Sequence, residues 1–228
     1  MPLPTPRWVI AALVCFLLPA VAPAQYTVAT ADTPPPQELD KSIRDVLAPT
    51  CVRFLKAGSP VAELWFRKDV PCKATPAQLK SGVPYRAVPE TTLVGAVRFD
   101  KQVTDYRKQK IKPGVYTLRL AFQPQDGDHM GTAPYPEFFL VCRAADDKSA
   151  APMKDAKEMQ ELSTKATGDT GHPGVFLLFP TKDPGAAPKL QSKSGGTWVL
   201  AWHMEASSKG QTGVLPFGLT LVGVSPSA

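Results

Sequence analysis

The chain has 228 residues, with 26 Lys or Arg against 20 Asp or Glu, a formal charge of +6 at neutral pH. Its 25 prolines, about 11% of the chain and roughly twice average usage, argue against an all-helical protein, because each interior proline removes a hydrogen bond and crowds the preceding turn. Asparagine is absent, which excludes N-linked glycosylation, Cys-His-Asn catalysis and Asn-Gly hairpins, and a hydrophobic content of 43% is too high for a disordered chain.

Residues 1–24 read as a signal peptide. Arg7 gives a positive start, Trp8 to Leu18 is an apolar run of 11 residues, and Ala22-Pro23-Ala24 places small residues before a cleavage point at Gln25. The run is shorter than the about 20 residues that span a bilayer. Cys15 lies inside it behind Val14, which does not suit lipid attachment. An exported chain is expected, periplasmic or extracellular, with no stable membrane insertion after cleavage; a retained anchor is the alternative. The mature chain keeps a modest formal charge of +5, since Arg7 is the only charged side chain removed.

Residues 25–37, with Pro34-Pro35-Pro36, read as a Pro/Thr/Ala-rich linker. Leu39, Ile43, Val46 and Leu47 then share one face of a short helix that Pro49 ends. Strands are expected at Thr50–Lys56 and Val61–Arg67, joined by a Gly58-Ser59-Pro60 turn. In the second, Trp65 and Phe66 face opposite ways, so one is exposed or covered by a loop. Thr75-Pro76 opens a small helix, threonine as cap and proline at the first position, and Gly82 stops it. Thr91–Phe99 follows as a strand with Leu93, Val97 and Phe99 on one face. Pro113-Gly114 suits a type II turn. After it, Tyr116, Leu118, Leu120 and Phe122 alternate with Thr117, Arg119 and Ala121, the pattern of a half-buried strand with a polar outer face. Just before that turn, Arg107, Lys108, Lys110 and Lys112 form the densest basic stretch, a solvated face or a patch that steers anionic surfaces.

Glu137–Arg143 is the next strand, with Cys142 in phase with Phe138 and Leu140 as a buried thiol. Pro152–Lys165 reads as a polar helix anchored by Met159 and Leu162. Strands then follow at Val175–Phe179, Trp198–Glu205 and Val214–Val224, the last two flanking a Ser207–Gly213 loop. Trp198, Leu200, Trp202 and Met204 share one face, as do Leu215, Phe217, Leu219 and Leu221. Residues 38–228 are therefore expected to form a mainly β fold: one antiparallel β-sandwich of about eight strands with two or three short helices in the connections.

The mature chain holds Cys51, Cys72 and Cys142. Export permits a Cys51–Cys72 bridge, which closes a loop of about 20 residues. The loop of residues 123–137 concentrates Asp126, Asp128, His129, Tyr135 and Glu137 between two strands, a common setting for a binding site. Asp126 and Asp128 suit Ca²⁺, and His129 with an aspartate suits a transition metal. Yet the full calcium-loop pattern is missing, and Asp-Gly-Asp also serves a turn. Export and the lack of recognition motifs speak against nucleic acid. No nucleophile motif, paired-histidine zinc motif or phosphate-binding glycine loop occurs, so no catalytic residue or cofactor is assigned.

Leu64-Trp-Phe-Arg-Lys68, Asp105-Tyr-Arg107, Ile111-Lys-Pro-Gly-Val-Tyr-Thr-Leu118, Gln123-Pro-Gln-Asp-Gly-Asp-His-Met-Gly131, His172-Pro-Gly-Val-Phe-Leu-Leu-Phe-Pro180 and Gly218-Leu-Thr-Leu-Val-Gly223 together resemble a family of uncharacterised exported bacterial proteins. That resemblance implies export and a single domain and supplies no mechanism. Lys112-Pro-Gly-Val-Tyr-Thr-Leu118 is also similar to a strand start of Ig-like and transthyretin-like sandwich modules, which implies fold only. These readings point to a non-enzymatic binding or structural module using the 123–137 loop. The alternatives are a metal-binding protein or metal-dependent hydrolase using Asp126, Asp128 and His129, and a carbohydrate or cell-wall binding module using exposed aromatics such as Trp65 or Tyr135.

Overall fold

The computed structural model describes residues 26–124, 133–168, 171–182 and 184–225. Residues 1–24, expected to be a signal peptide, fall outside them, as do Asp126, Asp128 and His129. The chain opens with strand β1 (Tyr26–Ala31) and helix α1 (Lys41–Val46), then β2 (Cys51–Lys56), β3 (Ser59–Phe66) and the short β4 (Val70–Pro71). Helix α2 (Pro76–Ser81) leads through a 3-10 turn at Tyr85–Ala87 to β5 (Leu93–Phe99). A small hairpin of β6 (Val103–Thr104) and β7 (Lys110–Ile111) precedes the central strands β8 (Gly114–Phe122) and β9 (Glu137–Arg143). Helix α3 (Ala156–Ala166), β10 (Val175–Phe179), β11 (Lys189–Ser192), β12 (Trp198–Ser208) and β13 (Gln211–Val222) complete it.

The protein is mainly β, but it is not an eight-stranded sandwich. Ten strands run in one continuous sheet in the order β1-β2-β3-β5-β8-β9-β10-β13-β12-β11, with β4 added beside β12. The sheet curls into a half-barrel. The physical reason lies in β10. Val175–Leu177 pair with β9, while Leu178 and Phe179 pair with β13. One strand thus turns the corner between two halves that would otherwise separate into two sheets. The curl brings the sheet's ends together, so that Tyr26 of β1 lies 5.4 Å from Trp198 of β12, centroid to centroid.

Local signals account for most elements. Asp40 caps α1 by accepting from Ser42 N, and Thr75 with Gln78 forms a complete capping box on α2. The β12–β13 hairpin turns tightly at Lys209 and Gly210, both at positive φ, rather than through a long loop. Ala57 and Gly58 do the same between β2 and β3, leaving Pro60 inside β3 where the pairing register shifts. Gly114, at a φ of 152°, opens β8 opposite Phe99, far from the +80° that a type II turn requires. The segment expected to be a tether contains β1, which pairs along its full length with β2 and leads into a buried Pro36.

The concave side is a packed core in which Phe66, Trp202 and Phe217 meet edge-on, with Trp202 centred 3.9 Å from Phe66 and 4.1 Å from Phe217. Such pairs add about 0.5–1.5 kcal/mol each beyond area burial. The convex side is buried as well. Helix α1 covers Cys51, Trp65, Leu93 and Ala96, and α3 covers Ala121, Leu140, Cys142 and Leu177 around Met159. Leu93 was expected on the face of Val97 and Phe99. A register shift between Leu93 and Gly95 instead turns it to the convex side.

The expected polar outer face of β8 is also inside. Thr117 and Arg119 are both 0% exposed. The segment after β9 folds over them and supplies Asp147, whose Oδ1 accepts from Arg119 Nη2 at 2.8 Å and whose Oδ2 accepts from Arg119 Nε at 2.7 Å. Arg119 Nη1 donates to Thr91 O and Ala151 O, and Nη2 donates to Ser149 O. The buried charge is thereby matched and its donors filled, as burial of an ion pair demands.

The Cys51–Cys72 bridge does not form; all three cysteines described are free. Cys51 packs on the convex side beneath α1, whereas Cys72 packs against the concave core and its N–H donates to Ser207 O. The sheet stands between the two thiols. Cys142 is buried as expected, and desolvation pushes its thiol up to about 12.

Candidate functional site

Two strand ends hold the 123–137 loop. Phe122 ends β8 and Glu137 opens β9, and the two residues are register partners. Gln123 N donates to Pro136 O at 2.7 Å, closing the base one step further out. Of the five residues expected to form the site, Tyr135 and Glu137 are in the described structure, and both are half-buried.

A third segment, residues 85–90, reaches this base from α2. The Arg86 guanidinium lies over the Phe122 ring at 4.1 Å, and its Nε donates to Glu137 Oε1 at 3.4 Å. Phe122 N donates to Glu90 Oε1 at 3.1 Å. Arg86 therefore engages both ends of the loop, one through its π face and one through its carboxylate. With Arg86 49% exposed, solvent screens the ion pair, and it contributes well under about 1 kcal/mol. Its value is positional.

Aromatic side chains continue this platform. Tyr135 packs edge-on against Phe179 with centroids 5.0 Å apart. Beside it the Tyr85 hydroxyl donates to Phe179 O at 2.9 Å and accepts from Gly218 N at 3.0 Å. That hydroxyl ties the 3-10 turn to β10 and β13, and burial holds its pKa well above the usual phenol value. The base of the loop is thus a rigid rim of two glutamates, one arginine and four aromatic rings.

Arg86, Glu90, Tyr85 and Phe179 carry no sequence signal for this site. They are 30 or more residues away along the chain and meet it because β5 pairs with β8 and β10 pairs with β9 in the sheet. Trp65, expected as an exposed aromatic, is 0% exposed; its Nε1 donates to Thr33 O at 2.7 Å and Arg98 sits over its ring. It is a core residue of the convex side.

Among the described residues no group of three His, Cys, Asp or Glu side chains is placed to hold a metal ion. His172 lies exposed in a turn and His203 half-buried on β12. No helix among the described residues is long and apolar enough to cross a membrane. No family model, curated protein or solved structure matches the chain.

Proposed function

We propose that this is an exported binding module whose contact surface is the 123–137 loop and the rim beneath it. One observation carries the reading: Arg86 spans the two feet of the loop, stacked on Phe122 and bonded to Glu137. A rigid base under a polar loop is the usual arrangement for recognition, since it limits the freedom lost on binding. Export rests on the amino-terminal pattern, and the resemblance to exported bacterial proteins supports it. The finer likeness to Ig-like modules is confined to the start of β8.

The test is photocrosslinking in the producing cell, with a photoreactive residue at position 135 and, as control, at position 80 on α2. The expected result is a discrete adduct from position 135 that disappears when Asp126, Asp128 and His129 are changed to alanine. A labelled protein on a glycan array then asks whether the ligand is a carbohydrate. Adducts from position 80 alone, or adducts unaffected by the triple substitution, would overturn the assignment.

A further inference from the structure

The strongest unassigned feature lies at the other end of β8. Residues 100–112 connect β5 to β8 and form the β6–β7 hairpin, a two-stranded sheet separate from the main one. They carry five basic side chains, Lys101, Arg107, Lys108, Lys110 and Lys112, against Asp100 and Asp105. The segment's net charge is +3, half of the whole chain's +6.

All five basic side chains are exposed. Among the described residues none of Lys101, Arg107, Lys110 and Lys112 forms an ion pair. Asp100, beside Lys101, is exposed, whereas Asp105, the nearest acid in sequence to Arg107, Lys110 and Lys112, is withdrawn from them. It is 0% exposed, and its carboxylate accepts from Arg107 N, Gln109 N, Gln109 Nε2 and Val175 N at 2.7–3.0 Å. Those bonds, with Gln109 Nε2 also donating to Pro173 O, fix the turn against β10. Asp105 thus shapes the hairpin from below, its carboxylate spent on backbone and Gln109 donors and not on the side chains of Arg107, Lys110 or Lys112.

We propose that this hairpin docks the protein on an anionic lipid surface. An exposed excess of positive charge on one short hairpin suits a plane of phosphate headgroups, where each Lys or Arg adds to attraction. A single-stranded nucleic acid would need exposed rings to stack its bases. The ring in this segment, Tyr106, is only 7% exposed and packs among Leu140, Cys142 and Met159. The hairpin joins the Gly114 end of β8, and the 123–137 loop leaves its Phe122 end. Nine residues of strand separate them by about 30 Å. Docking through the hairpin therefore turns the Phe122–Glu137 end of the strand pair away from the lipid.

The experiment is vesicle co-sedimentation of the purified mature chain. Vesicles of phosphatidylcholine alone are compared with vesicles containing phosphatidylglycerol, at low and high salt. Binding is expected only to the anionic vesicles and falls as salt screens it. The variant R107E/K110E/K112E should lose roughly a hundredfold or more in partitioning, while K80E/K193E keeps it. If the reversed variant melts early, K101Q/K110Q/K112Q replaces it, with a smaller loss expected. No binding to anionic vesicles would overturn the proposal. So would equal binding by a folded hairpin variant, or an oligonucleotide bound as tightly as the vesicles.

Discussion

Replacing Asp147 with alanine gives the sharpest test of how the convex side is held. Arg119 would keep its carbonyl acceptors Thr91 O, Ala151 O and Ser149 O but lose both carboxylate bonds, at 2.7 and 2.8 Å. Its side chain is 0% exposed, so the guanidinium charge cannot reach water without opening the 144–153 segment. Removing one partner of a buried pair costs about 3–5 kcal/mol. For a chain of this size that lowers Tm by roughly 10 °C. Urea denaturation of Asp147→Ala against the parent measures the loss. A double variant, Arg119→Met with Asp147→Leu, removes both charges and should recover much of it. Hydrogen exchange should show the 144–153 segment opening first in the single variant. A loss under about 1 kcal/mol, or a double variant worse than the sum of the singles, would refute the account of a matched buried charge.

Other outcomes follow from single positions. In a folded chain of residues 25–228 only Cys72 should react quickly with a thiol reagent near neutral pH, because Cys51 and Cys142 are buried with raised pKa values; denaturation should release three thiols, and fewer would mean a disulfide. Burial raises the pKa of Asp105 despite its four hydrogen bonds, so the folded state holds that proton more tightly than the unfolded chain. Relative to Asp105→Asn, the parent's stability should therefore be greatest below the unfolded value and decline as pH rises through the folded one, read by urea titration across acid pH. Asp105→Ala, which strands buried donors, should lose about 2–4 kcal/mol at neutral pH in the same assay. Gly213→Ala should destabilise by about 1–3 kcal/mol in thermal melts, since a Cβ there would sit 2.6 Å from Leu79 O and 2.7 Å from Leu79 Cα, both backbone atoms of α2.

The amino-acid sequence determined what depends on neighbours along the chain. The cap at Thr75, the alternation in β8, and the apolar faces of β12 and β13 all stand where local pattern placed them. The buried thiol of Cys142 was legible for the same reason, since strand phase alone fixes which side it faces. Tertiary structure decided everything set by distant partners. Thr117 and Arg119 read as a solvent face because Asp147 and the strap carrying it come from 28 residues further on for Arg119. Tyr26–Ala31 read as a tether because a short Thr/Ala segment becomes a strand only when β2 offers its edge. Leu93 changed sides through a bulge that no periodicity announces. The rim under the 123–137 loop needed the same long-range step, as Arg86 meets Phe122 and Glu137 only once β5, β8 and β9 pair side by side. Local alternation specifies that a strand has two faces; what covers each face is settled by the energy of closing the whole sheet.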